Sequence, residues 1–158
     1  HSDIGIVMDM PFFVEDWNLM DVESALKPFY QNWDSKIYDY YLSKFNLNKQ
    51  KKVKDLSRGM KVKLMLATAL SHQAKLLILD EPFNFLDPTS QSVIKHILKA
   101  YHEETGATIL ISSHNLNHTV DICPRIALLE NGKIIRDIDN HDYSAEKELE
   151  DYFNIKEE

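Results

Sequence analysis

Apolar positions along the chain change their spacing several times, and each change marks an element. Ile4-Gly-Ile-Val-Met8 is a short apolar run that predicts a strand, and Pro11 to Asp16 reads as a loop with an exposed Phe12-Phe13 pair. The period then becomes helical. Asp21 is expected to cap a helix running to about Trp33, and Asp34 or Ser35 a second in which Tyr38, Tyr41, Leu42 and Phe45 share one face. Trp17, Trp33 and the tyrosine-rich stretch suit core and interhelix packing better than stacking on a ligand. A third helix begins near Ser57, with Val62, Met65, Leu66, Ala69 and Leu70 as its buried stripe.

At Leu76 the pattern switches to continuous apolar runs. Leu76-Leu-Ile-Leu79, ending in Asp80-Glu81-Pro82, has the form of a strand buried on both faces of a parallel sheet. Asp87-Pro88 is an N-cap followed by a first-turn proline, opening a helix with Val93, Ile94, Ile97, Leu98 and Tyr101 inward and Gly106 as its stop. Ala107 to Ile111 is a second buried strand, with Ser112-Ser-His114 just past its carboxyl end. A short helix follows, then strands from Ile126 to Glu130 and from Lys133 to Ile138 around Asn131-Gly132, a strong hairpin signal. A terminal acidic helix can turn Leu149, Tyr152 and Phe153 inward, a packed element rather than a regulatory domain. Strands alternating with helices make the fold class α/β.

Composition narrows the chemistry. At 158 residues and 44% hydrophobic content the chain can bury a proper core, which excludes disorder and disulfide miniproteins. Only 4 glycines occur, and no two frame a phosphate-cradling loop of the G-x-x-x-x-G-K-[ST] or G-x-G-x-x-G type. A net charge of -7 argues against a general nucleic-acid binder, since phosphate contacts need surplus Lys and Arg. The single cysteine, Cys123, reads as a small buried apolar residue in a reducing compartment. With one cysteine and scattered histidines (His72, His96, His102, His118, His141), a zinc site is not expected. The lysine cluster Lys49 to Lys54 suits a solvated turn, and no apolar run approaches the ~18 residues of a membrane span.

Two features carry chemistry. Asp80 and Glu81 place adjacent carboxylates at the carboxyl end of a buried strand, the edge at which open α/β sheets bind ligands. Such oxygen ligands suit Mg²⁺, held by one or two carboxylates plus phosphates, while the second carboxylate can orient or deprotonate a water. Leu56-Ser-Arg-Gly-Met-Lys61 sets a hydroxyl and a glycine at a helix start, where N–H groups and the dipole favour an anion. An acidic loop and an ordinary helix cap are the plain alternatives to both.

In this order the motifs resemble those of ABC-type ATPases. Leu56-Ser-Arg-Gly-Met-Lys61 resembles the family's signature motif, Leu76-Leu-Ile-Leu-Asp-Glu-Pro82 its Walker B strand, Asn84-Phe-Leu-Asp-Pro88 its D-loop and Ser112-Ser-His114 its switch histidine. Ile4-Gly-Ile-Val-Met-Asp9 looks like the strand leading into the Q-loop, so the resemblance runs from about residue 4 to 138 and extends to the ATP-binding subunits of bacterial ABC exporters. It implies a partial P-loop NTPase fold: a mainly parallel sheet plus an α-helical subdomain. The corresponding division is 1–19 Q-loop strand and loop, 20–72 helical subdomain with the signature, 73–142 carboxyl-terminal half of the ATPase core, and 143–158 acidic terminal helix.

The resemblance implies ATP and Mg²⁺ as bound species, with Asp80 and Asp9 holding the metal through water, and Glu81 polarising the attacking water. His114 would contact the γ-phosphate, Ser57 and Gly59 would bind the γ-phosphate of ATP held mainly by a partner subunit, and Asp87 would lie at the dimer interface. The implied partners are a second nucleotide-binding subunit, as a homodimer, and a transmembrane permease; the implied location is cytoplasmic, peripheral on the inner face of the cell membrane. No nucleic-acid partner is expected.

Four positions depart from the pattern. Asp9 stands where a glutamine is expected; Arg58 replaces the first signature glycine, its charge either compensating or pointing to solvent; Phe83 and Phe85 replace small residues, either packing or reshaping the interface. The Walker A loop is absent, and a strand, P-loop and helix need ~30 residues, whereas three precede Ile4. The chain is therefore expected to be the carboxyl-terminal part of an ABC ATPase that does not bind ATP tightly alone. A non-hydrolysing regulatory paralogue and a soluble ABC protein acting on ribosomes or DNA are the alternatives.

Overall fold

The structure is a computed structural model that describes residues 3–8 and 12–156, with side chains as far as Tyr152. It divides into two compact units, His1–Ser112 and Ser113–Glu158.

The first unit is built on three short parallel strands, β1 (Ile4–Val7), β2 (Leu76–Asp80) and β3 (Thr108–Ser112), in the order β1-β2-β3. The register pairs Ile4 with Leu76, Leu76 with Thr108, and Asp80 with Ser112. Between β1 and β2 the chain forms α1 (Leu19–Leu26), α2 (Ser35–Lys44) and α3 (Arg58–Ser71), and between β2 and β3 it forms α4 (Pro88–Thr105). Helix α3 lies against the sheet face that carries Gly5, where a Cβ would stand 2.9 Å from Ala69 Cβ and 3.1 Å from Ala74 Cβ. A glycine in mid-strand is the condition for that approach. Val7, Leu77 and Leu79 are buried on the same pleat, while Ile6 and Leu110, on the opposite pleat, are 47% and 60% exposed. The expectation of strands buried on both faces is therefore not met: in β2 only Leu77 and Leu79 are buried, and β3, expected as a second buried strand over 107–111, runs Thr108–Ser112 with no buried residue, because α3 covers only the pleat of Gly5 and Leu77.

The helices begin where short polar side chains can satisfy their first N–H groups. Asp34 caps α2 by accepting from the Lys36 and Ile37 amides, Ser57 caps α3 by accepting from Met60 N, and Asp87 with Pro88 opens α4. Helix α1 departs from the expected start at Asp21. Its cap is Asn18, whose Oδ1 accepts from Met20 N and Asp21 N, while Asp21 accepts from Asn18 N to complete a capping box. It also ends at Leu26 rather than near Trp33, giving way to a 3-10 turn, Lys27–Phe29. Pro28, which has no N–H for the helical ladder, lies in that turn. Gly106 closes α4 in the left-handed conformation, φ 69.

The aromatic stretch packs as expected. Tyr38 is fully buried and donates to Leu19 O at 2.9 Å, with Trp33 against its ring and Trp33 Nε1 donating to Glu23. Burial raises the Tyr38 hydroxyl well above the ordinary tyrosine range, aided by the nearby Glu23 and Asp39 charges. Burial likewise pushes the Tyr101 hydroxyl, which donates to Ala74 O, up to about 12. The Phe12-Phe13 pair is split: Phe12 is exposed and Phe13 is buried.

The second unit holds an antiparallel pair, β4 (Arg125–Glu130) and β5 (Lys133–Asp139), and the terminal helix α5 (Ala145–Lys156). Asn131 and Gly132 both take positive φ, 47 and 75, as a two-residue hairpin turn of the Asn-Gly kind requires. Val120, Ile138, Ala145 and Leu149 form its small core, tied by Asn140, which donates to Val120 O and Cys123 O and accepts from Ala145 N. Cys123 is half-buried rather than buried, and its carbonyl accepts from Asn140. Among the described residues no helix is long and apolar enough to cross a membrane.

Candidate nucleotide-handling site

Strand β2 ends with Asp80 exposed at the carboxyl edge of the parallel sheet. Its Oδ1 accepts from Ser112 Oγ at 2.5 Å, a short, charge-assisted bond across the last rung of the sheet. The Glu81 amide is shared between Ser112 O and Ser112 Oγ, both at 3.2 Å. One residue at the end of β3 therefore sets the carboxylate of Asp80 and the backbone of Glu81 together. Glu81 stands at φ 47, a conformation that costs a non-glycine residue on the order of 1–3 kcal/mol and persists only where surroundings enforce it. Its Oε2 is shielded from solvent.

Beyond Glu81 the chain turns tightly, with Asn84 N donating to Glu81 O and Leu86 N to Phe83 O. Phe83 is buried, so packing accounts for it; Phe85 is 55% exposed at φ 62. Asp87 caps α4, accepting from Ser90 N at 2.8 Å and from Ser90 Oγ at 2.9 Å. Lys63 Nζ of α3 donates to the same Ser90 hydroxyl at 2.8 Å. The backbone and hydroxyl bonds from Ser90, with Lys63 nearby, hold the Asp87 carboxyl below the usual carboxylate range.

The first turn of α3 lies against this loop. Ser57 is exposed at the cap, Arg58 is exposed, and Gly59 is buried. A Cβ on Gly59 would meet Phe85 O at 2.7 Å, so the glycine is needed for contact with the loop rather than only for the expected approach to a phosphate. Lys61 pairs with Glu15 at 2.8 Å, and Lys54 with Asp16 at 2.7 Å, which pins the segment after β1 to the start of α3. The lysine cluster is thus ion-paired in part, Lys49 with Asp39 as well.

Two groupings emerge within the first unit: Asp80, Glu81 and Ser112 at the sheet edge, and Ser57 and Gly59 against the loop of Phe85 and Asp87. His114 belongs to the second unit, where with Asn115, Leu116, Asn117, Glu146 and Glu150 it lines an open cavity of about 390 Å³. Asp9 lies outside the described residues. Ser112, Ser90 and Lys63 have structural roles that sequence reasoning missed; only the position of Ser112 at a strand end hinted at one. Among the described residues no three His, Cys, Asp or Glu side chains converge on a metal position. A single exposed carboxylate with one oxygen already fixed matches what Mg²⁺ needs from protein when phosphates and water supply the rest.

A family model described as "AAA domain, putative AbiEii toxin, Type IV TA system" matches residues 18–121. Among curated relatives, the ABC transporter ATP-binding protein YhcH of Bacillus subtilis is 47% identical over 89 residues, 56% of this chain and 29% of its own length. The bacitracin transport ATP-binding protein BcrA of Enterococcus faecalis is 31% identical over 140 residues, 87% of this chain and 46% of its own. The chain belongs to the AAA-domain family, and within it to the ABC transporter ATP-binding proteins. It spans less than half the length of these ABC relatives. Structural neighbours agree: cbiO1 of Clostridium perfringens, part of the ABC transporter complex cbiONQ, superimposes with TM-score 0.72 and 28% identity over 98% of this chain and 64% of its own. The ATP-binding cassette MJ0796, in a dimeric post-hydrolysis state with ADP and Pi, gives 0.76 and 25% over 87% and 62%. The fold is therefore that of a partial ABC-type P-loop NTPase, a parallel sheet with α-helices inserted between its strands.

Proposed function

We propose that this ABC-type chain is the signature-bearing and Walker B-bearing part of a subunit that hydrolyses ATP to drive a membrane-embedded permease from the cytoplasmic face, working as a dimer. The observation that carries the reading is the sheet edge, where Ser112 fixes both the Asp80 carboxylate and the backbone of Glu81. Asp80 is the residue to hold Mg²⁺ through water, with Asp9 assigned to the same ion by its motif; bound there, the metal would neutralise charge on the phosphates. Glu81 orients the attacking water, from a backbone held at the sheet edge by Ser112 and with one carboxylate oxygen shielded from solvent. Ser57 and the first amides of α3 face the γ-phosphate of ATP gripped by the partner subunit, Asp87 stands at the interface between subunits, and His114 addresses the γ-phosphate by its motif. Phosphoryl transfer draws most of its acceleration from such positioning and charge neutralisation. On this reading residues 1–19, 20–72, 73–142 and 143–158 are the Q-loop segment, the helical subdomain, the core half and the terminal helix.

A P-loop supplied by further sequence is required for tight nucleotide binding, so the 158-residue chain alone should bind Mg-ATP weakly. The test is steady-state hydrolysis by the protein carrying this segment together with a G-x-x-x-x-G-K-[ST] loop. Glu81→Gln should lower the rate by at least tenfold. A wild-type rate no higher than that of Glu81→Gln would favour a non-hydrolysing paralogue, and tight Mg²⁺-dependent ATP binding by the isolated chain would refute the division of labour.

A further inference from the structure

Two positions at which the chain departs from the ABC pattern touch each other. The Arg58 guanidinium carbon stands 3.7 Å above the centroid of the Phe85 ring. That is well inside the ~6 Å within which a cation is attracted to an aromatic face. The next residue, Gly59, faces the carbonyl of the same Phe85, with 2.7 Å from that oxygen to where a Cβ would be. Consecutive residues in the first turn of α3 thus grip the ring and the backbone of one loop residue. Phe85 holds a left-handed backbone, φ 62, that an L residue adopts only when its surroundings compensate. A second tie runs alongside, from Lys63 through Ser90 to Asp87.

We propose that Arg58 and Phe85 form a clasp that positions the first turn of α3 against the loop of Asp87, so that Arg58 is a positioning residue and not a phosphate ligand. Each departure supplies a contact for the other: a glycine at 58 would remove the cation from the face of the Phe85 ring, and a small residue at 85 would remove the ring from beneath the guanidinium. A planar guanidinium stacks on a ring in a way that a lysine ammonium does not. The clasp itself is independent of any activity; only its catalytic consequence rests on the proposed ATPase reading.

Three measurements separate the ideas. In the 158-residue chain, the Arg58 Nε–H resonance should be shifted upfield by the ring current of Phe85, and the shift should vanish in Phe85→Leu; an unshifted resonance in the wild-type chain overturns the clasp without need of any variant. A double-mutant cycle of Arg58→Ala and Phe85→Leu should show coupling of about two- to fivefold in the folding equilibrium constant; additivity overturns it. In the ATP-hydrolysing protein that carries this segment, Arg58→Ala, Arg58→Lys and Phe85→Leu should each lower kcat with KM for ATP little changed, and Phe85→Tyr should retain the rate. If Arg58 instead binds phosphate, Arg58→Ala raises KM several-fold, Arg58→Lys is mild and Phe85→Leu is silent. A wild-type protein with no hydrolysis defeats the proposed function while the resonance and the folding cycle still decide the clasp.

Discussion

Replacing Gly59 by alanine sets two opposed effects against each other, and the geometry says which wins. Alanine in a helix is favoured over glycine by about 1 kcal/mol, so on propensity alone the variant gains stability. The new methyl, however, would lie 2.7 Å from Phe85 O and 3.3 Å from Leu86 Cδ2. Carbon and carbonyl oxygen rest at about 3.3–3.6 Å, so the loop must recede by roughly 0.6 Å or more. The obstructing atom is backbone, in a loop closed by Leu86 N on Phe83 O and anchored to α4 by the Asp87 cap. It cannot rotate away as a side chain could. Overpacking of this kind costs about 1–3 kcal/mol, which exceeds the propensity gain. The expected net loss is about 1 kcal/mol, seen in urea unfolding as a midpoint lower by about 0.5 M with an unchanged slope. Because the loop that must move carries Asp87, the same variant should also lower any ATPase rate. A midpoint equal to or above that of the wild type would refute the contact between Gly59 and the loop.

Further outcomes follow from the other anchors. Asn18→Ala should cost about 1 kcal/mol and more than Asp21→Ala, since Asn18 caps two amides while Asp21 only closes the box; the reverse order in urea unfolding would restore Asp21 as the cap. Tyr38→Phe deletes a buried bond to Leu19 O and should cost about 1 kcal/mol in the same assay; an unchanged midpoint would show that the bond is not formed. Asp87, with its carboxyl lowered by Ser90 and Lys63, stabilises the fold above the ordinary carboxylate value of 3.8 and loses that contribution as pH falls through its depressed pKa. Its side-chain carboxyl resonance should titrate below that of an unfolded aspartate, and Ser90→Ala, which removes the hydroxyl bond but keeps the amide bond, should raise it part of the way.

Several elements of both units were legible because their signals are local. A continuous apolar run ending in acids, an Asp-Pro helix start and an Asn-Gly turn each act through two or three adjacent residues, and each stands where the spacing put it. The start of α1 was misread for a related reason. Asn18 and Asp21 are both good caps one box apart, and only the bonds show which accepts from the helix amides and which reaches back. The split of Phe12 from Phe13 and the half-exposure of Cys123 depend on what packs above them, which no window of sequence contains.

The candidate site divides along the same line. Asp80, Ser57 and Asp87 were readable as motif positions, but what holds them was not: a serine ending one strand fixes an aspartate ending another, and a lysine of α3 reaches the serine that binds Asp87. Arg58, Phe83 and Phe85 looked like three separate erosions of a pattern. Only Phe83 is explained by packing in the core; Arg58 and Phe85 are explained by each other. Departures from a motif are therefore better judged in spatial pairs than one at a time. Two substitutions that each remove a small residue can jointly create a contact, and the chemistry of the site then has to be argued from that contact rather than from the residues that were lost.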